Sequence, residues 1–403
     1  MNTPSSAKPV PRPGSLVRGV AGALLWALAA AALAAGCCYW EEHRGDTNEA
    51  PPDPLLSPMQ SYYLDLSGEE RRKLFRDPEF RTEMKSYGDK PRGVVERVPR
   101  GVRPKSTDVS PVGWSLRRAD SGVVVDSGET ADSFVVLSNL MAGTRYVLAF
   151  QARTDDTGEP RGGGAAAEVR LSTSDRAPRL LDIPGIPNAR DFGGWRGLGG
   201  RRIRQGLVIR SAGLNENATP KENPDTPGAT RVTDATRDVM IRRLGVKTDV
   251  DLRWDNEVFG MTGSPLGPEV RWVRCPWSLY QWVAGDKEKA MFATIVRLLL
   301  DEGNLPAVVH CIEGQDRTGT LCFLLQGLLG VSDDDKLRDW ECTGFANPNY
   351  GFRHESRLDP FLRYLATLPG ETVNDRCEAY ARSCGVTDAE LAAWRDLMLE
   401  PAP

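Results

Sequence analysis

HCIEGQDRTG, residues 310–319, places Cys311 six residues before Arg317 across a loop that contains Gly314. The run before the cysteine, LPAVVH, is short, apolar and β-branched, as a buried strand is. TGTLCFLLQGLLG after it has the spacing of an amphipathic or buried helix, so the loop joins a strand to a helix. Such a junction directs several backbone N–H groups and the positive end of the helix dipole at one point, which suits a phosphate dianion. The same field favours a thiolate, the nucleophilic form of cysteine, at Cys311. Arg317 is then placed to grip two phosphate oxygens.

Spacing alone does not decide the matter, because Cys38 and Arg44 in CYWEEHR repeat it without a glycine or a strand-loop-helix setting. Gly314, His310 before the cysteine and Thr318 after the arginine separate the two. A free cysteine at a strand end is more often a small buried hydrophobe. That reading leaves Gly314, Arg317 and Thr318 without a reason to occur together.

The ten-residue loop resembles the signature of the cysteine-dependent tyrosine phosphatases, specifically the bacterial dual-specificity-like branch with HCxxGxDRTG. IPNARDFGGW (186–195), GRRIRQGLVIRSAGL (200–214), TDVDLRWDNEV (248–258), DWECT from Asp339 and GVTDAELAAWRDLML (385–399) resemble further segments of that family in the same order. The likeness spans roughly residues 180 to 400, the size of a whole catalytic domain.

The resemblance implies a two-step phosphoryl transfer. Cys311 attacks phosphorus to give a phosphocysteine, which water then hydrolyses. Arg317 and the amides of Ile312, Glu313, Gly314, Gln315 and Asp316 hold the phosphate oxygens, and Thr318 donates a hydrogen bond to the Cys311 sulfur. Asp316 and Asp251 are both candidates for the acid that protonates the leaving oxygen, with Asp316 favoured. Against these roles, Asp316 reads equally as a loop-stiffening carboxylate, and Asp251 as the partner of Arg253. Asn188, Arg190 and Asp191 pack near the site in the family, and here a structural turn around Gly193 and Gly194 outweighs direct catalysis. Arg210 and Ser211 are weighed the same way. Gln315 stands where the branch often carries lysine, which makes multiply phosphorylated substrates such as phosphoinositides less expected.

A chain of 403 residues exceeds one ordinary core and suggests two domains with extensions. Hydrophobic residues at 40%, charged residues at 26% and a net charge of −4 describe a globular chain with no electrostatic call for nucleic acid. RGLGGRRIRQG (196–206) reads as solvated surface ahead of an anionic-substrate cleft.

Residues 1–40 read as a targeting element: Lys8, Arg12 and Arg18 precede an apolar stretch from about Val20 to Gly36. ALAAGCC resembles a bacterial lipoprotein cleavage site that would leave Cys37 as the lipid-bearing residue, although Ala34 stands where leucine is preferred; an uncleaved anchor is the alternative. Either places the catalytic domain at a membrane surface outside the cytoplasm. Of the other cysteines, Cys275, Cys311, Cys322, Cys342, Cys377 and Cys384 match neither a zinc site nor a dense disulfide framework. Cys377 and Cys384 could bridge neighbouring helical turns, but unpaired buried thiols are the preferred reading. With three histidines in the chain and no cluster among them, no metal and no cofactor is expected.

Residues 41–97 read as a linker with one or two short polar helices in SGEERRKLFRDPEFRTEMKSYG. Between 98 and 178, short alternating runs such as VGWSLRR, DSFVVLS and TRYVLAFQAR are separated by Gly, Asp and Ser turns, which predicts a small β-sandwich. NLMAGTRYVLAFQA resembles the fibronectin type III pattern, with Tyr146 at the corner and Trp114 filling the core. A spacer is preferred there over a partner-binding module. From 179 to 403, strands alternating with helices predict a mainly parallel sheet flanked by helices, with the site at the carboxyl ends of the strands. Thr233 is the expected cap of a helix running to about Leu244.

These observations converge on an exported, membrane-associated phosphatase of phosphotyrosine or related phosphomonoesters. A phosphoinositide phosphatase and a non-catalytic phosphate-binding scaffold are the alternatives. A sulfur-transfer enzyme fits Asp316, Arg317 and Thr318 less well.

Overall fold

The computed structural model describes residues 63–76, 96–99, 112–130, 134–150, 167–216, 230–258, 260–346 and 354–402. The apolar stretch 20–36, Cys37, Cys38 and the loop PKENPDTPG lie outside the described residues. Among the described residues no helix is long and apolar enough to cross a membrane.

A polar helix, α1 (Gly68–Arg76), comes first. It is followed by strands β1 (Glu96–Pro99), β2 (Val112–Arg118), β3 (Val124–Thr130), β4 (Phe134–Leu137), β5 (Arg145–Phe150) and β6 (Ala167–Ser172). These six strands form two antiparallel sheets, β3-β2-β5-β6 and β1-β4. Leu116, Val135, Leu137, Tyr146, Leu148, Phe150 and Leu171 cluster as their apolar core. The Tyr146 hydroxyl accepts the Met141 N–H at 2.9 Å, closing the corner. Trp114 differs from expectation: it is only half-buried, because it shares the inward face of β2 with Leu116 but stands near the strand end, where its ring covers Gly128.

The second unit is built on strands β7 (Arg190–Asp191), β8 (Val208–Ser211), β9 (Thr248–Asp251), β10 (Arg271–Arg274) and β11 (Ala307–His310). Their order is β10-β9-β11-β8-β7, parallel except for β7, which runs antiparallel to β8. β10 was not expected from sequence. As the edge strand it is only half-buried, so RWVR lacks the apolar run that marks β11 at the centre.

Both faces of this sheet are covered, as a parallel sheet requires. Alternate residues of β8 and β11 go to opposite cores: Val208, Ala307 and Val309 to one, Ile209 and Val308 to the other. Short helix α2 (Asp234–Arg237) is capped by Thr233 and runs into a π-helical segment (Asp238–Arg243) that covers the second core with Met240. The larger core takes helices α3 (Asp286–Leu300), α4 (Arg317–Leu328), α5 (Asp333–Glu341), α7 (His354–Leu365), α8 (Val373–Ser383) and α9 (Asp388–Met398), with the short α6 (Thr343–Ala346) between α5 and α7. All twelve residues of α4 are buried, which fixes the helix that begins at the end of the cysteine loop.

Polar contacts tie the sandwich to this core. Arg179 donates to the Leu140 carbonyl at 3.0 Å, Asn139 exchanges hydrogen bonds with the Asp182 backbone, and Gln205 accepts the Ala142 N–H. At the other side, buried Arg71 of α1 pairs with Glu341 at 2.7 Å and Asp334 at 2.6 Å of α5.

Candidate active site

β11 ends at His310, and residues 311–316 form a loop at the carboxyl edge of the sheet before α4 begins at Arg317. The loop carbonyls are held from outside. Ile312 O accepts the Gly213 N–H at 2.9 Å, Glu313 O accepts Asn188 Nδ2 at 2.8 Å, and Gly314 O accepts an Arg210 guanidinium nitrogen at 2.9 Å. In a trans peptide the carbonyl of one residue and the N–H of the next point in opposite directions. The N–H vectors of Glu313, Gly314 and Gln315 therefore point away from these three donors. Helix α4 begins directly after the loop, so the positive end of its dipole lies beside it, a setting that favours an anion.

Gly314 makes the loop possible in two ways. Its φ of +67° favours glycine, and a Cβ there would lie 2.2 Å from the carbonyl oxygen of Ser211 at the end of β8. Cys311 is 3% exposed at the base of the loop, and Arg317 lies near enough to interact with it electrostatically. Arg317 makes a bidentate pair with Glu257 at 2.5 and 2.9 Å, and its guanidinium stacks under the Trp254 ring, 4.6 Å from the centroid.

Asn188, Arg190 and Arg210 form the support of this loop. Asn188 also binds the Thr343 hydroxyl, Arg190 donates to Asn188 Oδ1, and Arg190 and Arg210 share the carboxylate of Asp339 from α5. Asp191 is turned elsewhere, accepting from Arg179 and from the N–H groups of Gly193 and Gly206. Ser211 donates to the neighbouring Ala212 carbonyl. His310 is buried beneath the loop, with Nε2 2.8 Å from Asp249 and Nδ1 3.2 Å from the Cys311 carbonyl. Ile312 and Glu313 are half-buried, and Gln315 is buried.

The two candidate acids differ sharply in setting. Asp251 is fully buried and held by Arg253 at 2.9 and 2.7 Å. Burial pushes its pKa up, but His310 and Arg253 outweigh that and hold it down to about 2. Asp251 is thus engaged by Arg253, the pairing that was weighed against an acid role for it. Asp316 is half-buried and accepts a hydrogen bond from the Tyr280 hydroxyl. The Thr318 hydroxyl is buried without a hydrogen bond among the described residues, so the implied bond to Cys311 is not formed. Thr320 acts at this turn instead, donating to the Asp316 carbonyl at 2.7 Å and accepting the Tyr280 N–H.

Burial keeps five further described cysteines in the thiol form. It pushes Cys275, Cys322 and Cys384 up to about 11 and Cys342 and Cys377 up to about 12. None of these forms a disulfide.

Glu257, Trp254, Tyr280, Asp249 and Asp339 are site residues that the sequence did not single out. Glu257 and Trp254 follow β9, the neighbour of β11, so their place beside Arg317 depends on strand order. Tyr280 carried no local signal.

Cys311 and Arg317 thus stand at the two ends of a loop on the carboxyl edge of a mainly parallel sheet, where α4 begins. The chain belongs to the tyrosine phosphatase family: residues 181–400, more than half of the chain, match the model of that family. A protein of Cupriavidus necator with the provisional name tyrosine-protein phosphatase is 29% identical over 181 residues, 38% of this chain and 59% of the relative. The chain thus spans about three fifths of the length of that curated relative. Among solved structures, the core catalytic domain of the PP-IP phosphatase SIW14 from S. cerevisiae, in complex with citrate, is similar at 15% identity. Its TM-score is 0.25, and the likeness covers 41% of this chain and 90% of that one.

Proposed function

We propose that the protein hydrolyses phosphomonoesters, phosphotyrosine foremost, through a phosphocysteine. The supporting observation is the loop itself: three successive carbonyls are taken up by Gly213, Asn188 and Arg210, which leaves the N–H groups that follow them pointing the other way. In the first step the Cys311 sulfur forms a bond to phosphorus as the P–O bond to the leaving group breaks, and Asp316 protonates the departing oxygen. In the second, water attacks phosphorus, the S–P bond breaks, the thiolate returns, and Asp316 takes the water proton. Arg317 and the amides carry the charge of both transition states.

Hydrolysis of phosphotyrosyl and phosphoseryl peptides by the full chain, beside Cys311→Ser, tests this. Turnover by the native protein alone supports it. Equal turnover by Cys311→Ser refutes the cysteine mechanism, and peptide binding without turnover by the native protein supports the scaffold alternative.

We further propose that residues 1–40 fix the protein at a membrane through an anchor or a lipid on Cys37, with the fibronectin type III-like sandwich as a spacer. Recovery of Cys37→Ser in the membrane fraction to the same extent as the native chain would exclude the lipid.

A further inference from the structure

RGLGGRRIRQG (196–206) takes no part in the cysteine loop. It runs up to the amino end of β8, whereas the loop lies at the carboxyl edge of the sheet. Three arginines of this run, Arg196, Arg202 and Arg204, turn to the sandwich instead. With Arg118 at the end of β2 and Arg145 at the start of β5 they line one cleft of about 630 Å³. Arg202 reaches the Ala142 carbonyl at 2.9 Å past Gly143, whose φ is +63° and where a Cβ would lie 2.4 Å from the guanidinium.

The cleft holds more cations than its own contacts use. Five arginines meet three carboxylates, Asp120 and Glu400 in the wall and Asp175 beside it, which leaves an excess of two positive charges. Arg118 pairs with Asp120 at 2.8 Å, and Arg196 and Arg202 share Asp175 at 3.2 and 3.5 Å. Half-buried Arg204 and exposed Arg145 have no hydrogen bond or ion pair from their guanidinium groups among the described residues. A purely structural ion-pair network would match each cation, because unmatched like charges at a junction of two units repel.

We propose that this cleft is an anion site separate from the cysteine loop, for a soluble ligand that carries two or more phosphate groups. A guanidinium fork takes phosphate oxygens in pairs. Arg145 comes from the sandwich and Arg204 from the catalytic unit, so a ligand with charge at both ends satisfies the two together. The volume lies within the range of small-molecule sites, about 300–1,000 Å³. Bound there, the anion bridges the two units and cancels their repulsion. The site does not depend on the phosphatase reading.

The full chain and inorganic pyrophosphate test this. Calorimetric titration in the Arg317→Gln background, where the cysteine loop lacks its phosphate-holding side chain, is expected to show one bound pyrophosphate. Adding Arg204→Gln should weaken it at least about tenfold, the loss of one charge-assisted hydrogen bond. Melting temperature gives a second reading with the loop intact: pyrophosphate should raise it more in the native chain than in Arg145→Gln/Arg204→Gln. Without ligand the double variant should melt no lower than native, since neither charge has a partner to lose. Binding lost with Arg317→Gln and indifferent to Arg204→Gln, equal melting shifts in native chain and double variant, or the same shift with sodium chloride at matched ionic strength would each overturn the site. Sedimentation with phosphatidylglycerol vesicles that requires Arg204, without pyrophosphate binding, would assign the cleft to lipid headgroups and overturn the soluble ligand.

Discussion

Asp339→Asn removes a carboxylate that two buried arginines share. Arg190 lies 2.8 Å from one oxygen, Arg210 pairs with the other, and all three side chains are 1% exposed. The amide keeps the shape, but two guanidinium charges lose their counterion in the interior. Breaking a buried pair costs about 3–5 kcal/mol. At about 2–4 °C per kcal/mol for a unit of this size, the melting temperature falls by about 6–20 °C. The loss also reaches the loop, because the same arginines hold Gly314 O and Asn188 Oδ1. Displacing a catalytic loop by about 1 Å can cost about 100-fold, so kcat/KM on an aryl monoester is expected to drop at least tenfold at 15 °C. Calorimetry and steady-state kinetics read the two effects. The pH dependence has a definite sign. Burial pushes the Asp339 pKa up, but Arg210 and Arg190 outweigh it and hold it below the ordinary aspartate value. A depressed folded pKa stabilises above the unfolded value of about 3.9, and that stability disappears as pH falls through the folded pKa. The gap between native protein and variant is therefore full at neutral pH and narrows below about pH 3.9. A melting temperature within 2 °C of native with unchanged kinetics would refute the reasoning.

Gly314→Ala combines a left-handed φ with a Cβ 2.2 Å from Ser211 O; backbone strain of about 1–3 kcal/mol and loop displacement should reduce kcat/KM by about 100-fold, and retention within threefold would count against the loop geometry. Asp316→Asn should slow turnover by about 100-fold or more with poor leaving groups and much less with good ones, and Tyr280→Phe should follow the same pattern more weakly. Asp251→Asn should act mainly on stability, by about 3–5 kcal/mol; the reverse ranking in leaving-group dependence would exchange the roles. For buried His310, burial lowers the pKa but Asp249 and Asp251 prevail and raise it. Its contribution is complete below the unfolded value of about 6.5 and is lost as pH rises through the folded pKa. Urea midpoints of native protein and Asp249→Asn should thus converge as pH rises above about 6.5, whereas a constant difference would show that His310 does not titrate there.

Much of the loop after β11 was legible because its requirements are local. A glycine that closes a turn, an apolar strand before it and a helix start after it all fall within one short run, so HCIEGQDRTG carries its own setting. β10 escaped because an edge strand has no need of a continuous apolar run, and RWVR has none. Tyr280 escaped, and Asp339 stood only at the head of a family-like segment, because neither residue type nor spacing marks a tyrosine 36 residues from Asp316, or an aspartate 129 residues from Arg210, as its partner.

By itself the sequence determined the strand-loop-helix junction and the alternation that makes a mainly parallel sheet, both set by short-range periodicity and backbone geometry. Only the tertiary structure decided which charges meet. Placing β9 beside β11 brings Glu257 and Trp254 onto Arg317, seats Asp249 under His310, and commits Asp251 to Arg253. Electrostatic partners depend on distance through space, which chain separation does not encode.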